Sequence, residues 1–391
     1  MIHLFLNGLA ASAGGGLTYL RNVVPHLSAG SDVGATVAVN PPLRQELGDL
    51  PNISVLELET LGGAAQRFWQ EQTVLPRLIR RSGADVLISV GNFALRRSPV
   101  PQILLSRNSL YTCGDFFRDL RGRGDYNLWF ETYIKSVFAR RSIHWADCTV
   151  APSEAFAEEL RGWSGVHVAA IHHGFDAENF FRDNTPLPAN IQRKLDSAKG
   201  ALRLLYVSHY NYYRNFETLL RAVPLLRERL GARKVRLLLT CKLKSEENPG
   251  SYRAEGAAAL VTRLGITDGI VELGSVPHHL LHHVYRTCDI YVTPAYTESF
   301  AHPLVEAMAC GLPVVASDLA VHREICGQAA LYFPRFSPEA LASNVVSLAS
   351  SPALARNLTR CGTQRSQDFS WRKHVDQVVA LAHQLRSAGT R

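Results

Sequence analysis

Short runs of Val, Ile and Leu recur along the chain, each followed by a stretch whose apolar residues return at helical spacing. In the first half the runs are Ile2–Leu6, Thr36–Val39, Val86–Val90, Ile103–Leu105 and Thr149–Ala151. In the second half they are Leu202–Val207, Val235–Thr240, Ile270–Leu273, Ile290–Thr293 and Val314–Ala316. Runs that are apolar on both faces suit strands of a parallel sheet covered by helices on either side. The pattern predicts an α/β protein with two successive doubly wound, Rossmann-like domains. The polar, proline-bearing stretch Asp183-Asn184-Thr185-Pro186-Leu187-Pro188 separates the two series and sets the expected domains at 1–183 and 189–370. A last helical pattern over about 371–386 places Val375, Val378, Val379, Ala382 and Leu385 on one face, and the pattern itself leaves it to pack on either domain.

A chain of 391 residues with 46% apolar and 19% charged residues suits two folded domains. No apolar run reaches the roughly 20 residues of a membrane span. The N-terminal stretch Met1-Ile2-His3-Leu4-Phe5-Leu6-Asn7 has no basic flank or cleavage site and reads as a first buried strand rather than a signal peptide. Seven scattered cysteines, with no C-x-x-C pair, argue for reduced thiols in a cytoplasmic protein and against a disulfide framework. The net charge of +8 falls almost wholly in the second half, which calls for an anionic partner there; a nucleotide diphosphate would serve. Nucleic acid is not expected as a partner, because the chain has no basic stripe interleaved with aromatics and no zinc-finger spacing.

The chemistry concentrates in Pro294-Ala295-Tyr296-Thr297-Glu298-Ser299-Phe300-Ala301-His302-Pro303-Leu304-Val305-Glu306-Ala307-Met308-Ala309-Cys310-Gly311. A strand ends at Pro294, Pro303 suits the first turn of a helix, and Gly311 suits its C-terminal stop. Glu298 then lies on a loop at the C-terminal edge of the sheet, where open α/β sheets bind ligands, and Glu306 on the following helix. The N–H groups of Ala301, His302, Pro303's neighbours and Leu304 form an anion site suited to a diphosphate. Each carboxylate is a good acceptor for sugar hydroxyls: Glu306 for a ribose diol, Glu298 for a hydroxyl of a transferred sugar. A glycosidase pair is the competing reading, but eight positions of loop and helix fit poorly with two carboxyls flanking one bond. Arg214, in Ser208-His209-Tyr210-Asn211-Tyr212-Tyr213-Arg214-Asn215, follows another strand; it either faces a phosphate or is a solvated helix-end charge.

Glu298, seven residues and Glu306, continued by Ala-Met-Ala-Cys-Gly-Leu-Pro-Val-Val-Ala-Ser-Asp, resemble the signature of the retaining glycosyltransferase family 4. His322-Arg323-Glu324-Ile325-Cys326-Gly327 and Leu273-Gly274-Ser275-Val276-Pro277 are similar to the family too, as are, more loosely, Pro152-Ser153-Glu154 and Ile171-His172-His173-Gly174. The resemblance implies the GT-B fold, two Rossmann-like domains facing each other across a cleft, with the C-terminal helix crossing back onto the first. It implies transfer of a sugar from a UDP- or GDP-linked donor, with retention and without a metal or other cofactor, to a glycan or lipid-linked acceptor in cell-surface polysaccharide synthesis. Glu298 and Arg214 would be catalytic. Gly15, Gly16, His209, Arg214, Gly274, Val276, Glu298, Ser299, Phe300, Ala301, His302, Pro303, Leu304 and Glu306 would hold the donor, Gly274 and Val276 near the base. The family usually has Gly-Arg where this chain has Ser208-His209 and Lys-Gly where it has Arg214-Asn215; Arg214 keeps the cation, whereas His209 is a departure. On the acceptor side, Arg107 and Asn108 stand where many members carry a histidine; Asn108 either orients a hydroxyl or caps a turn.

Three weaker signals complete the reading. Gly14-Gly15-Gly16 follows the first strand without the G-x-G-x-x-G pattern, so nicotinamide binding is not indicated and a plain turn is the bland alternative. His278-His279-Leu280-Leu281-His282-His283 has metal-like i,i+4 spacing, but no carboxylate or cysteine completes a site nearby, and the chain has no Asp-x-Asp clamp. Asp115–Arg141 reads as a solvated helix with one buried face, or as a patch at the inner face of the membrane that meets a lipid-linked acceptor. A nucleotide-sugar epimerase and a non-catalytic sugar-nucleotide binder of the same architecture are the alternative functions.

Overall fold

The computed structural model describes residues 1–11, 15–30, 32–59 and 62–389. Two compact units are present, the first made of Met1–Thr112, Trp129–Gly174 and Ser370–Arg391, the second of Cys113–Leu128 and Phe175–Phe369. The stretch 113–128 packs in the second unit, whose main length begins at Phe175, and the C-terminal segment from Ser370 packs in the first.

The first unit holds seven strands: β1 Ile2–Asn7, β2 Val33–Val39, β3 Ile53–Glu57, β4 Val86–Ser89, β5 Gln102–Leu105, β6 Cys148–Ala151 and β7 Val168–Ala170. They form one parallel sheet in the order β3-β2-β1-β4-β5-β6-β7. The alternation along β1 splits its side chains between two cores. Leu4 and Leu6 face a core that includes Trp371, Val375, Val378 and Ala382 of the helix Trp371–Gly389. Phe5 faces the opposite core, with Leu75, Ile79 and Leu87. Close approach at Gly174 lets the C-terminal segment in, since a Cβ there would lie 2.0 Å from the Trp371 amide nitrogen.

The second unit holds β8 Leu202–Tyr206, β9 Val235–Leu239, β10 Ile270–Glu272, β11 Ile290–Thr293, β12 Val314–Ser317 and β13 Ala330–Phe333. Its parallel sheet runs β10-β9-β8-β11-β12-β13. In both sheets the strand order reverses beside the first strand, at β1/β4 and at β8/β11. Loops at the C-terminal ends of strands flanking such a reversal diverge and leave a crevice.

Ten of these strands lie where the apolar runs predict them. The three without a run, β3, β7 and β13, are all sheet edges, and an edge strand with a solvated side needs no continuous apolar run. Residues 115–141 make two helices rather than one, Gly114–Gly122 and Tyr126–Trp145, because Gly124 turns the chain at φ 66°.

Each unit buries a neutral histidine. In the first, His374 Nδ1 donates to the His172 carbonyl at 2.8 Å, while Tyr19 Oη donates to His374 Nε2 at 3.0 Å. In the second, His322 Nδ1 donates to the Ser317 carbonyl at 2.9 Å. Burial pushes each imidazole down to about 4. The unfolded chain therefore takes up protons near pH 6.5 that the folded chain refuses until about pH 4, so acid destabilises the fold across that window. Each histidine should cost about 3 kcal/mol by its lower end. The urea midpoint is expected to fall steadily as pH drops from 7 to 5, and His374→Gln to make that slope shallower; an unchanged slope would contradict the assignment.

Candidate active site

In the second unit the loops after β8 and β11 leave the sheet at the reversal and carry the two residues read as catalytic. After β8 the chain makes a short 3-10 turn, Tyr212–Arg214, and Asn215 takes a left-handed conformation (φ 53°) before the helix Phe216–Leu230. Tyr206 Oη donates to the Arg214 carbonyl at 2.8 Å and fixes this turn to its own strand. After β11 the chain runs through Glu298 to Ala301, also left-handed (φ 67°), which opens the helix His302–Ala309 with Pro303 in its first turn. The two loops are cross-linked, for Tyr296 N donates to the Tyr213 carbonyl at 3.0 Å and Asn215 Nδ2 to the Pro294 carbonyl at 3.0 Å.

Arg214 Nη1 and Glu298 Oε1 form an ion pair. Both side chains are largely buried, and the guanidinium also lies 5.0 Å over the ring of Tyr213. The sequence reading gives these residues separate tasks, the cation on phosphate and the acid on a hydroxyl. The structure joins them. His209 lies near Arg214 on an exposed part of the loop; partial desolvation, and then the charge of Arg214, hold its imidazole below the ordinary range, so it is neutral near pH 7.

Glu306 lies inside the helix His302–Ala309, with one hydrogen-bond partner on each carboxylate oxygen. His278 Nε2 is 3.1 Å from its Oε1, and Tyr285 Oη donates to its Oε2 at 2.9 Å. Burial alone would raise this carboxyl, but the bonds from His278 and Tyr285 outweigh it and hold it below the ordinary carboxylate value. Each oxygen keeps a second lone pair for a hydroxyl. The loop that delivers His278 follows β10 through Gly274, left-handed at φ 83°, and the buried Val276. Neither His278 nor Tyr285 stands out as a site residue in the sequence. The doubled histidines of 278–283 are the one signal, and the structure turns the first of them onto Glu306. No group of three His, Cys, Asp or Glu side chains is placed to hold a metal among the described residues. Ser299 and His302 are partly exposed, Phe300, Ala301 and Leu304 buried, and the His302 ring packs 4.8 Å from Phe300.

The first unit gathers its own set around the start of the helix Gly15–Ser28. A Cβ on Gly16 would meet Ala11 Cα at 3.2 Å, tighter than ordinary contact, so the glycine permits the close approach of Ala11, while Arg107 Nη2 lies 3.6 Å from the same position. Arg107 Nη2 donates to the Val90 carbonyl at 2.5 Å, and its guanidinium lies 5.0 Å over the Tyr19 ring. Burial pulls this guanidinium down to about 10. Asn108 accepts from the Leu110 amide at 3.1 Å and caps the turn Ser109–Tyr111. Of the two readings left open for it, the cap is the contact formed. Gly14 lies outside the described residues.

Two family models match the chain: "Glycosyltransferase Family 4" over residues 13–179 and "Glycosyl transferases group 1" over 189–365. The D-inositol 3-phosphate glycosyltransferase of Segniliparus rotundus is 31% identical over 151 residues, 37% of this chain and 32% of that protein. That of Thermomonospora curvata is 27% identical over 228 residues, 57% of this chain and 53% of that one. The matched part thus spans between a third and about half the length of these curated relatives. Among solved structures, sucrose-phosphate synthase from Thermosynechococcus elongatus superposes with TM-score 0.77 at 19% identity, covering 99% of this chain and 100% of that one. Anabaena HepE in complex with UDP-glucose superposes with TM-score 0.70 at 16% identity, covering 98% and 100%.

Tyr285→Phe keeps the buried ring and deletes one donor to Glu306. Loss of a hydrogen bond to a charged group should lower unfolding stability by about 1.5–3 kcal/mol, read in a urea titration. A variant as stable as the parent would show that the carboxylate does not depend on that hydroxyl.

Proposed function

Since the chain belongs to glycosyltransferase family 4 and has the GT-B architecture of two Rossmann-like domains, we propose that it transfers a hexosyl group from a nucleoside-diphosphate sugar, UDP- or GDP-linked, to a glycan or lipid-linked acceptor. The observation that carries this reading is the Arg214–Glu298 pair at the strand-order reversal of the second sheet, beside the start of the helix His302–Ala309. The solved structures of Anabaena HepE with UDP and with UDP-glucose support the donor class.

In this mechanism the diphosphate lies against the N–H groups at the start of the helix His302–Ala309 and takes Arg214 as its cation. Fixed dipoles and a guanidinium stabilise charge on the departing diphosphate without reorganising, which is commonly the largest catalytic contribution. Glu298, released from Arg214 by the phosphate, accepts from a hydroxyl of the sugar. Glu306 holds the ribose diol through its remaining lone pairs. The acceptor attacks from the leaving group's own face and its proton passes to the departing phosphate oxygen, so configuration is retained with neither a side-chain base nor a metal. His209, being neutral, contributes a hydrogen bond rather than a charge.

A membrane-borne acceptor is the second part of the proposal, and the helix Tyr126–Trp145 favours it. Its buried positions are small or polar, Thr132, Ser136, Ala139, Ser142 with Ile143, whereas Phe130, Tyr133 and Ile134 are exposed. An apolar stripe turned outward and continued by the exposed Arg140 and Arg141 fits an anionic lipid surface. No helix among the described residues is long and apolar enough to cross a membrane.

A thermal-shift panel of UDP-, GDP- and dTDP-sugars identifies the donor, and labelled donor incubated with and without lipid acceptor separates transfer from epimerisation or binding alone. Arg214→Ala is expected to lower turnover roughly 10²-fold or more, and Glu306→Ala mainly to weaken donor binding; parental turnover in Arg214→Ala would refute the mechanism. For the membrane surface, flotation with liposomes containing anionic lipid should recover the parent chain and lose Phe130→Ser/Ile134→Ser. Equal recovery with neutral liposomes would count against it.

A further inference from the structure

The stretch between β5 and β6 belongs by sequence to the first sheet, yet Cys113–Leu128 packs in the second unit. Its side chains reach the two loops that carry Arg214 and Glu298. Tyr296 Oη, two residues before Glu298, donates to Asp119 Oδ2 at 2.9 Å. Tyr212 Oη, two residues before Arg214, donates to Asp125 Oδ2 at 3.1 Å. Arg123 donates to Asp119 Oδ1 at 2.7 Å and to Glu217 Oε1 at 2.9 Å, and its guanidinium lies 4.3 Å over the Tyr212 ring. Phe116 meets Tyr213 edge-on, with ring centroids 6.2 Å apart.

The geometry points to Asp119 and Asp125 as positioning residues for the Arg214–Glu298 pair, acting through Tyr296 and Tyr212; this inference rests on the site proposed above. Two features make such a clamp necessary. Asn215 and Ala301 hold left-handed backbone, which persists only where surrounding contacts over-determine it. Asp119, Arg123, Glu217 and Tyr296 also line a cavity of about 510 Å³, where the Tyr296 ring packs on Phe336 with centroids 5.5 Å apart and the bond to Asp119 adds the directional restraint on its hydroxyl. A guanidinium and a carboxylate work as a preorganised unit only if their loops are held to within a fraction of an ångström. The stretch 113–128 supplies the second attachment for each loop, the first being the strand it leaves.

The test is nucleotide affinity against stability in the full chain, with UDP and GDP as probes in titration calorimetry and the melting temperature of the unliganded protein measured alongside. Tyr296→Phe keeps the ring and deletes the bond to Asp119. It should melt only a few degrees below the parent, as loss of a hydroxyl bond to a carboxylate implies, yet bind the preferred nucleotide about tenfold more weakly, while Asp119→Asn, which keeps an acceptor oxygen for the intact Tyr296 hydroxyl, should retain most of the parent's affinity. If Tyr296→Phe proves unstable, Tyr212→Phe puts the same question to the other loop. Phenylalanine variants that bind like the parent while Arg214→Ala loses affinity would overturn the positioning role and leave the site reading intact. Arg214→Ala binding like the parent, or a parent that binds neither nucleotide at millimolar concentration, would overturn both.

Discussion

Everything at the second sheet's edge turns on one largely buried guanidinium–carboxylate pair. Taking two charges out of water is expensive, and Arg214 and Glu298 offset that cost chiefly through each other. Removing either would leave the other buried and uncompensated. The pair also ties together loops that leave β8 and β11, where the strand order reverses and the chain would otherwise diverge. Its net charge is near zero, so the site is electrostatically quiet until an anion arrives to compete for the arginine. In the mechanism proposed above, a diphosphate would displace the carboxylate from the arginine and leave the acid free to accept a hydroxyl.

Around this pair the backbone is held in shapes its residues do not prefer. Asparagine tolerates the left-handed region, which explains Asn215; alanine does so at a cost of about 1–2 kcal/mol, and Ala301 bears it at the start of the site's helix. Such conformations belong where geometry matters more than local stability. The tyrosines at 206, 212, 213 and 296 share the restraint, and three of them donate a hydroxyl to a carbonyl or a carboxylate within their own unit.

The strand–loop–helix from Ile290 to Gly311 was legible in the sequence because each signal there is local. A β-branched run, a proline in the first turn and a left-handed glycine after the last each act within a few residues. The central strands were legible for the same reason. The edge strands β3, β7 and β13 were not, since their pairing depends on a neighbour and half their surface meets water. Nor was the partnership of Arg214 with Glu298, or of Glu306 with His278 and Tyr285, because those residues are far apart in the chain and only the sheet order brings them together. The stretch 113–128 is the extreme case: its composition reads as an ordinary charged helix, and only tertiary contacts assign it to the second unit.

The first unit's composition from three separate lengths of chain has a consequence for biosynthesis. Trp371, Val375, Val378 and Ala382 belong to the core built on Leu4 and Leu6, so that core is open until the stretch beginning at Ser370 has emerged from the ribosome. Domains usually fold in order as they are made. Here the N-terminal sheet must wait with one face exposed while the second unit is synthesised, which marks the nascent chain, rather than the finished protein, as the stage most in need of a chaperone.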